Sequence, residues 1–115
     1  MLSSKMLIMP SYRESFGLVA LEAMASGLPV LAYGATALPE VLGEDNALMI
    51  VDRGNKEMLL NRLIDLFGDD RRLERTSKIC LERVANVYSL PIVEKIIYDT
   101  YCKVIAAHAF KLKKL

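Results

Sequence analysis

The first half of the chain alternates short apolar runs with a helical stretch. The apolar run 5–9 stops at Pro10, which is typical of a buried strand that ends at a turn residue. Residues 16–26 are nearly all apolar or good helix formers, and Gly27 supplies the helix stop. The apolar run 30–32 follows directly and predicts a second strand. This order predicts parallel pairing of the two strands, because a tight turn cannot join parallel strands.

Two further segments extend this unit. Residues 38–42 predict a short helical turn, and the apolar run 47–51 predicts a third strand. The expected fold class is therefore α/β. We predict a partial Rossmann-like, three-layer domain with a small parallel sheet of about three strands.

The second half of the chain has the spacing of amphipathic helices. One helix is predicted over 59–67 and another over 71–87. Ser89 is the predicted N-cap of a long third helix that has Pro91 in its first turn. One stripe of this helix is formed by Val93, Ile97, Tyr101, Val104 and His108. We expect residues 1–115 to form a single domain with a helical C-terminal half.

Charge and apolar content exclude several classes of protein. The 115 residues include 15 Lys and Arg and 14 Asp and Glu, a net charge of +1, which excludes a strongly basic nucleic-acid binder. Hydrophobic residues make up 53% of the chain, so it is expected to fold rather than remain disordered. No apolar run approaches the roughly 20 residues of a membrane span, and the N-terminus lacks the features of a signal peptide.

Cysteine and histidine usage indicates a reduced protein without a metal site. Cys80 and Cys102 lie far apart on predicted helices, so we interpret both as reduced core thiols of a cytoplasmic protein. His108 is the only histidine and has no acidic or cysteine neighbour at ligand spacing. No metal ligand set is therefore expected.

Basic residues form two groups in the helical half. Arg71, Arg72 and Arg75 are expected to face water rather than a nucleic-acid backbone, because acidic residues are interspersed with them. The lysine-rich tail 111–115 fits either a peripheral contact with an anionic membrane surface or a solvated terminus.

Glu22 is the one carboxylate on a predicted helix that is otherwise apolar on almost every side. A helix that is apolar all round is normally buried, and a buried ionised Glu is unfavourable unless it meets hydrogen-bond donors. A ribose diol would supply two donors, as it does to an acidic residue in dinucleotide-binding folds. The alternative is a carboxylate at the rim of the helix that pairs with Arg or Lys or is solvated.

The loop 10–17 connects the first strand to that helix. Ligands of open α/β sheets bind at the carboxyl ends of the strands, and free N–H groups at a helix N-terminus suit a phosphate. Gly17 would let the backbone come close to such a ligand. The loop contains neither a G-x-G-x-x-G nor a P-loop lysine motif, so it indicates a ligand site only in combination with Glu22.

These residues carry a family resemblance. The segment 10–30 contains two glutamates, Glu14 and Glu22, separated by seven residues. It resembles the donor-site segment of the retaining, nucleotide-sugar-dependent glycosyltransferases of the GT-B fold, the group 1 glycosyl transferase family. The resemblance continues from about Ser4 to Ile105.

The resemblance implies that the chain is the second part of a GT-B C-terminal, nucleotide-sugar-binding domain. Glu22 would hold the ribose hydroxyls of the donor. Glu14 would be the catalytic carboxylate, contacting the transferred sugar and shaping the charge around the reacting carbon. Backbone N–H groups of Phe16, Gly17 and Leu18 would face the sugar and its phosphates. The family transfers the sugar to an acceptor hydroxyl with retention of configuration, without a metal or other cofactor.

Other features depart from the family pattern. The Arg and Lys that grip the diphosphate in the family lie upstream of this segment and are expected to be absent. An N-terminal acceptor-binding domain or chain is the expected partner. Thr36 and Ala37 stand where the family commonly has a glycine pair, and their side chains are expected to crowd a close approach. Without the motif, Glu14 would be interpreted as an exposed loop carboxylate beside Arg13.

The alternative function is a non-catalytic remnant of this domain that acts as an interaction or self-assembly module. A parallel sheet of about three strands is thin for an α/β domain, and an uncovered apolar patch favours association. We therefore expect a homodimer.

Overall fold

The computed structural model describes residues 4–114. Within them the chain divides between Val84 and Ala85 into two compact units. The first unit contains β1 (Leu7–Met9), α1 (Leu18–Ala25), β2 (Val30–Tyr33), α2 (Leu38–Leu42), a 3-10 segment (Glu44–Met49), β3 (Ile50–Val51), α3 (Lys56–Phe67) and α4 (Asp70–Arg83). A π-helical turn (Val84–Tyr88) then leads along the chain to α5 (Leu90–Lys113).

The sheet is parallel and has β2 at its centre. Its strand order is β1-β2-β3. The register pairs Leu7 with Val30, Ile8 with Leu31, Met9 with Ala32, Ala32 with Ile50 and Tyr33 with Val51. All four residues of β2 are buried. The predicted α/β class and the parallel three-stranded sheet are confirmed.

Both faces of β2 are covered, which gives the unit three layers. Val30 and Ala32 point into a core cluster shared with α1 and α2. Leu31 and Tyr33 point into a second cluster that contains Leu66 of α3. This alternation follows from the pleat of a strand, which sends successive side chains to opposite faces. A strand that is apolar at every position is therefore expected at the centre of the sheet.

The third strand is present but shorter than predicted. Residues 47–49 belong to the 3-10 segment, and β3 contains only Ile50 and Val51. The cause is Asn46, which is 2% exposed and whose Nδ2 donates to the Leu42 carbonyl oxygen at 2.9 Å. A buried amide bonded in this way holds the chain in a turn.

Two predicted helices have different ends in the structure. Helix α1 begins at Leu18 rather than Phe16, because Gly17 has a φ of 70° and a left-handed residue cannot continue a right-handed helix. The helix predicted over 71–87 ends at Arg83 and continues as the π-helical turn. The strand predicted over 5–9 is shorter, since β1 begins at Leu7.

The second unit consists mainly of α5. Its N-cap is Ser89 and Pro91 lies in the first turn, as the sequence predicts. The Lys95 Nζ lies 2.8 Å from Asp99 Oδ2 in an i,i+4 ion pair. Cys102 is exposed on this helix whereas Cys80 of α4 is buried, so the prediction of a core thiol is confirmed for Cys80 and wrong for Cys102.

Neither a membrane span nor a metal centre is found in residues 4–114. None of the helices in this range is long and apolar enough to cross a bilayer. Across the same range, no three His, Cys, Asp or Glu side chains are grouped so that they could hold a metal ion.

Candidate functional site

Three loops follow the carboxyl ends of the three strands. Residues 10–17 follow β1, 34–37 follow β2 and 52–55 follow β3. Because the strands are parallel, these loops lie at one edge of the sheet, the edge where open α/β sheets bind ligands. Contacts between the loops place the predicted site residues there.

Gly17 sets the start of α1. It has a φ of 70°, a conformation that favours glycine, and a Cβ at this position would lie in tight contact with Val41 Cγ2, at 3.0 Å. The first intrahelical bond joins the Leu21 N–H to the Gly17 carbonyl oxygen at 2.9 Å. The N–H groups of residues 18–20 therefore have no partner within the helix.

Glu14 lies at this helix N-terminus. Its side chain is half-buried, and its Oε1 accepts the Gly17 N–H at 3.3 Å. A carboxylate is favoured here by the positive end of the helix dipole. The structure thus brings together two of the predicted site residues. A ligand that takes the Gly17 N–H would displace the Glu14 carboxylate from it.

Thr36 holds the backbone of Glu14. Its Oγ1 accepts the Glu14 N–H at 3.0 Å and donates to the Glu14 carbonyl oxygen. Thr36 has a φ of 40°, a left-handed conformation that is unfavourable for a β-branched residue. Its hydroxyl group is thus bonded to the loop 10–17. One signal of this contact was available in the sequence, namely a threonine at a position where the resemblance implies glycine.

Glu22 is exposed on α1, on the same face as Leu18 one turn earlier. The prediction that this helix is buried on all sides is wrong, since Leu18 is 59% and Val19 48% exposed. Glu22 therefore needs no buried partner. Among the side chains of residues 4–114, none is hydrogen-bonded or ion-paired with its carboxylate. Both carboxylate oxygens remain available to hydroxyl donors.

Two exposed aromatic side chains lie close to Glu14 in the sequence. The side chain of Phe16 is 75% exposed, and Tyr12 is 56% exposed. Both belong to the loop 10–17, so this loop presents aromatic rings to its surroundings as well as polar groups.

Arg53 and Tyr12 also lie at this edge of the sheet and were not among the site residues predicted from the sequence. Arg53 follows β3, and its Nη1 donates to the Tyr12 carbonyl oxygen at 3.4 Å. The Tyr12 ring packs edge-on against Tyr33, with 5.7 Å between centroids. Arg53 thus brings a cation to the carboxyl edge of the sheet. Its position just after a strand was the available signal, because that edge is where ligands bind.

Comparison with known proteins gives consistent matches. The family model described as "Glycosyl transferases group 1" matches residues 1–81. The chain is 32% identical over 111 residues to a D-inositol 3-phosphate glycosyltransferase of Streptomyces avermitilis, covering 96% of this chain and 24% of the relative. It is 37% identical over 108 residues to an MMP alpha-(1->4)-mannosyltransferase of Mycolicibacterium hassiacum, covering 90% of this chain and 26% of the relative.

A third relative shows a similar identity and likewise matches the chain over only part of its own length. The D-inositol 3-phosphate glycosyltransferase of Corynebacterium efficiens is 34% identical over 84 residues, covering 73% of this chain and 20% of the relative. The chain thus spans about a quarter or less of the length of these relatives.

Proposed function

Because this chain belongs to the group 1 glycosyl transferase family, we propose that it forms the donor-binding part of a retaining, nucleotide-sugar-dependent glycosyltransferase. The observation that carries the proposal is the start of α1. There Glu14 is held beside the helix N-terminus, and Glu22 lies on the exposed face with its carboxylate unbonded among residues 4–114. Both positions match the two glutamates of the family motif.

Glu22 binds the nucleoside in this proposal. An ionised carboxylate accepts from two hydroxyl groups at once, which suits the 2′ and 3′ hydroxyls of a ribose. The diphosphate lies toward the free N–H groups at the start of α1, beginning with Leu18, where the helix dipole favours an anion. Arg53 at the same edge of the sheet adds a positive charge. Recognition thus uses a carboxylate for the ribose and donors for the phosphates.

Glu14 acts on the transferred sugar. In the reaction, the bond between the anomeric carbon and the diphosphate oxygen breaks, and the acceptor oxygen forms a bond to that carbon on the same face. Positive charge develops on the sugar as the leaving group departs, and a fixed carboxylate nearby stabilises it. The two bonds from Thr36 to the Glu14 backbone keep that carboxylate in place. We propose no metal or other cofactor for this step.

The acceptor is bound elsewhere. We propose that an N-terminal domain or a separate chain supplies the acceptor site, as the resemblance implies, and that transfer takes place in a reducing, cytoplasmic compartment. The free thiols of Cys80 and Cys102 support the choice of compartment.

Isothermal titration calorimetry tests donor binding. The purified chain is titrated with UDP-, GDP- and ADP-sugars, and the tightest binder is then titrated into Glu22→Gln. We expect affinity to fall by about tenfold or more in this variant, because one acceptor oxygen is replaced by a donor and the other is no longer part of a charged group. Glu82→Gln is the matched control, since Glu82 is also an exposed helical glutamate. Absence of binding to any nucleotide sugar by the folded chain would refute the proposal.

A second candidate function is an interaction or self-assembly module. The exposed Phe16 and Leu18 side chains, 75% and 59% exposed, favour it because contiguous apolar surface promotes association. Light scattering over a range of protein concentrations separates the two functions. A stable homodimer that is indifferent to nucleotide sugars would support the module, and a monomer that binds them would exclude it.

A further inference from the structure

A cavity of about 180 Å³ lies in the first unit, among elements that take no part in the donor site. Its walls come from α3, α4 and the 3-10 segment. It is smaller than the roughly 300–1,000 Å³ of drug-sized ligand sites. Any occupant is therefore a small molecule.

Three arginines surround this cavity. Arg62 comes from α3, and Arg72 and Arg75 come from α4. Asp45 is the one carboxylate that lines it. None of these four side chains forms an ion pair within 4.0 Å with any other residue from 4 to 114. The residues that line the cavity thus have an excess of positive charge, and no ion pair within residues 4–114 compensates it.

The two acidic residues that open α4 do not line this cavity and form no ion pair with its arginines among residues 4–114. Asp69 accepts the backbone N–H of Arg72 at 3.0 Å, and Asp70 pairs with Lys5 at 3.3 Å. Arg72 itself lies in the first turn of α4, where the helix dipole disfavours a cation. The like charges of three arginines that line one cavity repel one another, and a bound anion would relieve this repulsion. A local arrangement that is unfavourable by itself is typical of a functional site.

The rest of the lining is mainly apolar. Met49 and Leu66 are each 3% exposed and belong to the core cluster on this side of the sheet. The two buried polar side chains already have partners in the protein. Asn46 donates to the Leu42 carbonyl oxygen at 2.9 Å, and Thr76 donates to the Arg72 carbonyl oxygen at 2.9 Å.

We propose that this cavity binds a small organic anion, a phosphate group carried on a short apolar body. The planar guanidinium groups bind the phosphate oxygens, for which their paired donors are suited. The apolar body packs against Met49 and Leu66. This site is independent of donor binding, because it shares no residue with the loops at the carboxyl edge of the sheet.

Amide chemical shifts of the ¹⁵N-labelled chain test the site. Phenyl phosphate is the probe, inorganic phosphate tests the anion alone and phenol tests the apolar body alone. We expect phenyl phosphate to bind saturably, to shift amides in 45–49, 62–66 and 72–79, and to bind more tightly than either fragment. The double variant Arg62→Gln with Arg75→Gln should lose about tenfold or more in affinity, because charge-assisted hydrogen bonds are removed.

Arg71→Gln is the matched control, since Arg71 is on the same helix but does not line the cavity. It should change the affinity by less than about twofold, because its exposed side chain does not contact the cavity and its charge is screened by solvent and salt. A second arm uses sedimentation with phosphatidylcholine vesicles that contain phosphatidic acid. Vesicle binding that the double variant abolishes would identify a lipid headgroup as the source of the phosphate, whereas binding of phenyl phosphate alone would identify a soluble metabolite. No binding in either arm, or equal binding by the double variant, would overturn the proposal.

Discussion

Glu14 is fixed by a single side chain from a different loop. Thr36 bonds to both backbone polar groups of Glu14 while it adopts a φ of 40°. Left-handed backbone costs a residue other than glycine about 1–2 kcal/mol. Two hydrogen bonds of about 1 kcal/mol each offset that amount. The two hydrogen bonds therefore stabilise Thr36 in its unfavourable backbone conformation. They also position Glu14, the proposed catalytic carboxylate.

Variants of Thr36 test this balance. Thr36→Val keeps the shape and the strain but removes the hydroxyl, so we expect the free energy of unfolding to fall by about 1–2 kcal/mol. Thr36→Ser keeps the hydroxyl and should remain within about 0.5 kcal/mol of the wild type. Urea denaturation measures both. A Thr36→Val variant as stable as Thr36→Ser would show that the bonds to Glu14 contribute nothing.

Gly17 carries a second prediction at the scale of the residue. Gly17→Ala should lower the free energy of unfolding by about 2–4 kcal/mol, because the added Cβ combines left-handed strain with overpacking. The overpacking is against Val41 Cγ2, 3.0 Å from the ideal Cβ position. In the double variant with Val41→Ala the two effects should couple favourably by about 1 kcal/mol. Strict additivity in a double-mutant cycle would contradict the proposed contact.

Helix α4 holds the end of α2. The Arg83 Nε donates to the Val41 carbonyl oxygen at 2.8 Å, and its Nη2 donates to the Glu40 carbonyl oxygen at 2.5 Å. The last carbonyls of a helix have no intrahelical partner, and a cation near them is favoured by the dipole. Gly43, the C-cap of α2, leaves the space for this side chain, because a Cβ there would lie 2.3 Å from Arg83 Cζ.

Removal of the Arg83 hydrogen bonds to the end of α2 should destabilise the fold. Arg83→Met keeps the apolar stem and removes the donors, so we expect a loss of about 1–3 kcal/mol in unfolding free energy. Arg71→Met, an exposed arginine on the same helix, serves as control and should change stability by less than about 0.5 kcal/mol. Thermal unfolding followed by circular dichroism measures both variants. Equal midpoints would mean that the link does not stabilise the fold.

At the scale of the whole molecule, the two cysteines differ in burial, since Cys80 is buried and Cys102 is exposed. Burial raises the pKa of the Cys80 thiol from its ordinary value of 9.0 to about 11, and a backbone hydrogen bond with Val30 lowers it by a smaller amount. At pH 8 a thiol reagent should therefore label Cys102 alone in the native chain, because the thiolate is the reactive form. Cys102→Ser should then show no fast labelling until denaturant is added. Fast labelling of that variant would contradict the burial of Cys80.

The same shift predicts how stability depends on pH. The folded pKa lies above the unfolded value of 9.0, so the unfolded chain releases this proton first as the pH rises. The contribution of Cys80 to stability is complete below pH 9 and is lost as the pH approaches about 11. This contribution is measured by comparing the unfolding free energies of the wild type and of Cys80→Ala from pH 9 to about 11. A parallel pH dependence of the two proteins would refute it.

The sequence predicts the α/β class because its signals are local. Gly27 ends α1, and the apolar run at β2 marks a strand buried on both faces. The third strand was predicted too long because the side-chain bond of Asn46 to Leu42 leaves no trace in hydrophobic periodicity. The Thr36 contact was missed for a related reason. It joins residues 22 positions apart, and such pairings are set by the tertiary fold.

The location of Glu14 could be predicted from the sequence more completely than that of Glu22. Glu14 could be assigned to the loop before α1 from the strand, turn and helix order. Glu22 is exposed, as in the alternative of a solvated carboxylate at the rim of the helix, because α1 exposes one side that includes Leu18 and Val19. The proposed role of Glu22 does not depend on burial, since the resemblance rests on its spacing from Glu14.

Amide shift mapping of a bound nucleotide sugar tests donor recognition at the start of α1 most directly. The ¹⁵N-labelled chain is titrated with the tightest-binding UDP-, GDP- or ADP-sugar. We predict that the largest shifts fall in 10–22 and 34–37, and that the Gly17 amide moves as its bond to Glu14 is replaced. Shifts confined to 56–79, or no shifts from a folded sample, would contradict the assignment of this loop and helix as the donor site.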